Sequence, residues 1–62
     1  MIENMLDIGD KIFIIKHATL ADVKIMDNNY LHLIHDTSDL DKQEELSILH
    51  TNAQLRIQEL SN

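Results

Sequence analysis

Four histidines, His17, His32, His35 and His50, and an acidic block from Asp36 to Glu45 are the residues of this chain best equipped for chemistry. Three converging imidazoles would make a transition-metal site, because neutral histidine nitrogen binds zinc at about 2.0–2.1 Å. Histidines also titrate near neutrality and can couple association to pH. The spacing supports a metal site weakly: His32 and His35 share a face on a helix but point to opposite sides of a strand. Half-exposed polar positions explain the imidazoles more simply, so no metal is expected. In the acidic block, Asp39-x-Asp41-x-Gln43 imitates the opening of an EF-hand calcium loop. Glu44 stands where that loop needs glycine, and His50 where it needs glutamate. The loop fails on both counts.

Nucleophilic catalysis has no better footing. Ser38, Ser47 and Ser61 lack the strand-turn-helix setting of a nucleophile elbow, and there is no glycine-rich phosphate loop. A chain of 62 residues also leaves little room for a pocket of about 300 Å³ or more. Neither enzymatic activity nor a cofactor is expected.

Charge narrows the partners. The formal net charge is −6, and the five basic residues, Lys11, Lys16, Lys24, Lys42 and Arg56, are scattered. Binding to nucleic-acid phosphate or to an anionic membrane surface calls for clustered cations. One Tyr, one Phe and no Trp leave little to stack on bases. A basic protein surface is the natural counterpart, since charge complementarity speeds encounter and rejects wrong partners. The acids placed to meet it are Asp36, Asp39, Asp41, Glu44 and Glu45.

The elements that must position these residues follow from the pattern of apolar positions. Leu46, Leu49, Ala53, Ile57 and Leu60 are spaced 3, 4, 4 and 3. That spacing gathers five side chains within roughly 80° of arc on a helix. The predicted helix covers 39–60, with Ser38 as its N-cap and acids at its positive end. The stripe is its core or dimer face, and Ile48 and Leu55 form a second apolar patch beside it. Upstream, Gly-Asp followed by Lys-Ile-Phe-Ile-Ile-Lys-His predicts a turn and then a strand over 11–17. Alternating apolar positions on either side of Asp27-Asn28-Asn29, good turn residues, predict a hairpin of 20–26 and 30–35. The expected fold is therefore α+β: a three-stranded antiparallel sheet and a C-terminal helix in one domain, 1–62. Two alternatives compete. One is a small SH3-like barrel with 45–50 and 54–59 as its last strands. The other is an all-α fold, favoured by a single Gly and no Pro and by Leu20, Val23, Tyr30, Leu31 and Ile34 sharing one broad arc.

A chain this short buries only about 60% of its unfolded surface, and with no cysteine it has no disulfide to reinforce it. A homodimer or a partner chain is the expected support. The acidic N-terminus lacks the basic start of a secretory signal, and the longest apolar run, Ile12–Ile15, is far short of a membrane span. A cytoplasmic protein is expected. The leading functional expectation is a small regulatory or inhibitor protein acting by protein binding, in its sharpest form by mimicking nucleic-acid phosphates on a basic partner. In style the chain resembles the small accessory proteins of phages and mobile elements. The alternatives are an oligomeric assembly subunit and a histidine-based metal or pH sensor.

Overall fold

The computed structural model describes residues 7–61, and all three of its elements are helices: α1 (Ile8–Lys16), α2 (Leu20–Asp36) and α3 (Leu40–Ser61). No strand occurs among the described residues. The expected sheet over 11–17, 20–26 and 30–35 is overturned, and so is the SH3-like barrel. Residues 1–6, which carry most of the N-terminal stretch read for a secretory signal, lie outside the described residues.

Each mistaken strand is a helix for an identifiable reason. In α1 the Asp7 side chain caps the first turn, accepting a hydrogen bond from the Asp10 backbone N–H at 2.9 Å. Asp10 near the start and Lys16 near the end suit the helix dipole. The Ile-Phe-Ile-Ile run favours a strand by propensity, but isoleucine costs a helix only about half a kcal/mol relative to alanine. Helical winding instead aligns Ile8, Ile12 and Ile15 on the side that meets the core. Burial outweighs that small penalty.

In α2, Thr19 is the cap, accepting from the Asp22 N–H at 3.2 Å. Leu20, Val23, Met26 and Tyr30 then line the face turned to the core. Asp27-Asn28-Asn29, expected to turn a hairpin, sits in the middle of this helix. Asn28 and Asn29 are exposed. Asp27 turns to α3, where its carboxylate accepts a hydrogen bond from Gln54 Nε2 at 2.9 Å. A polar triplet that reads as a turn is here a solvated edge plus one contact between helices.

The connection into α3 is built by side chains. Thr37 Oγ1 accepts from the Asp39 N–H at 3.3 Å, and Gln43 Nε2 donates to the Thr37 carbonyl at 2.7 Å. Asp39 Oδ1 accepts from the backbone N–H groups of Asp41 and Lys42, at 3.0 and 3.3 Å. Asp39, not the expected Ser38, is therefore the N-cap. Asp39→Ala is expected to cost about 1 kcal/mol in urea denaturation followed by circular dichroism, while Ser38→Ala should change stability by less than about 0.5 kcal/mol.

α3 is the spine. Both α1 and α2 pack on it and have little contact with each other. The buried core is small: Ile15, Ala18, Val23, Leu49 and Ala53. Ile8, Ile12, Leu20, Met26, Tyr30 and Ile57 ring it, half-buried. Arg56 braces the α1–α2 corner from α3. Its Nε and Nη2 both donate to the Ala18 carbonyl, at 3.1 and 2.9 Å.

Candidate functional site: the outer face of α3

Because α3 carries both other helices, it has an inner and an outer face. Of the stripe read as a core or dimer face, Leu49 and Ala53 are buried, Leu46 and Ile57 are half-buried, and Leu60 is exposed. That face is occupied by the chain's own α1 and α2. On the outer side, Asp41, Glu44, Ile48, Leu55 and Glu59 recur at spacings of 3, 4, 7 and 4, which places them within roughly 60° of arc. All five are exposed; Ile48 retains 42% and Leu55 59% of its accessible surface. Single exposed apolar residues are ordinary. Two of them two turns apart, bracketed by three carboxylates, form a patterned surface.

The five acids proposed to meet a partner divide by what the fold asks of them. Asp39 is committed to the cap of α3. Glu45 pairs with Lys11 of α1 at 3.3 Å, each side chain about a third exposed. Asp36, at the end of α2, and Asp41 and Glu44, on the first turns of α3, are exposed, and none of the three enters an ion pair among the described residues. Glu59 joins them from the far end of α3. It contacts Arg56 Nη1 at 2.9 Å, yet 69% of its side chain remains exposed, so solvent screens the pair and leaves it weak. Reading the acids as one contiguous block missed Glu59. The helical spacing 41, 44, 48, 55, 59 would have included it.

The histidines do not converge. His17 ends α1 with its ring against that of Phe13, the centroids 4.3 Å apart and the planes tilted by 45°. His32 and His35 are exposed on α2. His50 places Nε2 3.1 Å from the buried Oδ1 of Asp27, an oxygen that has no hydrogen bond of good geometry. Among the described residues no three His, Asp or Glu side chains gather as a metal site.

The expectation that so short a chain leaves little room for a pocket of about 300 Å³ or more is corrected by two cavities of about 410 and 420 Å³. The first lies between the end of α2 and the start of α3, with Lys11 of α1 at its edge. Burial pushes the phenol of Tyr30, in its wall, above its usual pKa. The second lies beside the outer face of α3, lined by Lys16, His17, Asn52, Leu55, Arg56 and Glu59. Comparison of the chain with protein-family models, curated proteins and solved structures finds no match.

Proposed function

We propose that this chain is a small acidic regulatory protein that acts by binding another protein through the outer face of α3. One observation carries the reading: α3 buries one face under α1 and α2 while the other holds Ile48 and Leu55 between Asp41, Glu44 and Glu59, all exposed. The complementary surface is apolar at its centre and basic at its edges. Such pairing draws anchoring energy from desolvated apolar groups and selectivity from charge. A protein whose basic groove normally holds nucleic-acid phosphate meets that description, and occupying the groove would inhibit it. A chain without cysteine suits the reducing cytoplasm, and no described helix is long and apolar enough to cross a membrane.

Charge also bears on the assembly-subunit alternative. Antiparallel pairing of two copies on this face would set Ile48 against Leu55 of the partner subunit. The same register would set Glu44 against Glu59 of the partner subunit, and parallel pairing would oppose every acid to itself. Like charges brought together cost free energy, so this face favours a basic partner over a second copy.

The test uses two variants, D41N/E44Q/E59Q and I48S/L55S, as baits beside the wild-type chain at about 0.1 M and about 1 M salt, where the screening length falls from about 10 to 3 Å. A protein held by the wild type should be lost from both variants and released by salt. A partner retained equally by both variants would move the binding surface elsewhere. Wild-type dimers in sedimentation that I48S/L55S dissolves would make the chain an assembly subunit instead.

A further inference from the structure

The cavity between α2 and α3 presents a different chemistry from the rest of the surface. Leu33, Leu46 and Leu49 give it an apolar lining and Tyr30 adds an aromatic wall, while Lys11 and Lys42 stand at it. Two of the five basic residues of a chain with net charge −6 thus meet at one apolar hollow. Lys11 is held by Glu45. Lys42 enters no ion pair among the described residues. The charged residues of the lining, Lys11, Lys42 and Glu45, sum to +1 on a protein of net charge −6. The Tyr30 hydroxyl, like any tyrosine near neutral pH, is protonated and can donate a hydrogen bond. A volume of about 410 Å³ lies within the range of small-molecule sites.

We infer that this cavity binds a small amphipathic carboxylate, a medium-chain fatty acid or a molecule of that form, with its apolar chain over the leucines and its carboxylate at Lys42. A neutral apolar molecule would leave the Lys42 charge unused, and a cationic amphiphile would be repelled by it. The site is separate from the outer face of α3, so the inference stands or falls independently of the protein-binding proposal.

Tyr30 reports on the site directly, because the chain has one Tyr and no Trp. Octanoate, octanol and octylammonium, each below its micellar concentration, would be titrated into the full chain. Tyrosine fluorescence and backbone amide shifts would be followed. Octanoate should give a saturable change centred on residues 30, 33, 42 and 46, with octanol binding about fivefold more weakly and octylammonium weaker still. Lys42→Gln should bring octanoate down to the affinity of octanol and leave octanol itself unchanged. Leu33→Ser, at a half-exposed position, should weaken binding of all three alike while helicity by circular dichroism stays intact. Equal affinity for octanoate and octanol, preference for octylammonium, or no saturable signal would each overturn the inference. So would octanoate binding that appears only after Ile2 and Leu6 are replaced by serine in the full chain, since that would give the cavity to the chain's own first residues.

Discussion

Leu49→Ala is expected to lower the stability of this chain by about 2–5 kcal/mol. Leu49 keeps 1% of its accessible surface and belongs to a core of five buried residues, of which two are alanines. Truncating a buried leucine costs about 2–5 kcal/mol, the spread reflecting how far the site can collapse around the cavity. At roughly 0.05–0.15 kcal/mol per residue, a domain of this size has about 3–9 kcal/mol in total. The loss therefore removes a large fraction of the whole. Urea denaturation followed by far-ultraviolet circular dichroism should show either no cooperative transition or one displaced by at least about 2 kcal/mol. Leu55→Ala, on the exposed side of the same helix, is the control, and its cost should stay within about 0.5 kcal/mol. Equal costs for the two leucines would mean that α3 does not bury the face described.

Arg56→Met ranks second and tests the corner between α1 and α2. The guanidinium makes two hydrogen bonds to the Ala18 carbonyl, and Ala18 itself is buried. Hydrogen bonds to a charged group contribute about 1.5–3 kcal/mol, and removing the donor strands a shielded carbonyl. Methionine preserves most of the packing of the arginine stem, so the loss of about 1.5–3 kcal/mol reports the hydrogen bonds. Arg56→Lys should recover only part of it, because an ammonium is a point donor and cannot reproduce the planar fork. Full recovery by lysine would show that charge alone matters at this corner. The sequence marks Arg56 as a basic residue toward the end of a helix, which hints at a role with the helix dipole. Its actual partner lies 38 positions away in the chain.

The two halves of the chain differed in how openly they displayed their structure. For α3, good helix formers and a stripe at spacings of three and four pointed to the same helix, read as 39–60 and found as Leu40–Ser61. For α1 and α2, local signals disagreed. The β-branched Ile12–Ile15 run and the Asn-rich centre of α2 argued for strands and a turn, while the scarcity of Gly and Pro and the arc of Leu20, Val23, Tyr30, Leu31 and Ile34 argued for helices; the caps at Asp7 and Thr19 came to light only in the structure. Propensities differ by fractions of a kcal/mol per residue, whereas burying one large apolar side chain contributes about 1.5–3 kcal/mol. The packing on α3 therefore decided. The candidate surface shows the same division. Its acids and the pair Ile48 and Leu55 were visible as residues, but which of them were free to meet a partner was not.

By itself, then, the sequence determined the charge of this protein, its lack of a disulfide, the C-terminal helix and the periodicity of that helix's apolar stripe. These depend on composition and on neighbours a few positions apart. Tertiary structure alone decided that the first two segments are helices, that Asp39 and Glu45 are committed within the fold, and that Lys11 and Lys42 meet at one apolar cavity. Those outcomes depend on contacts between residues distant in the chain, which local propensity does not encode.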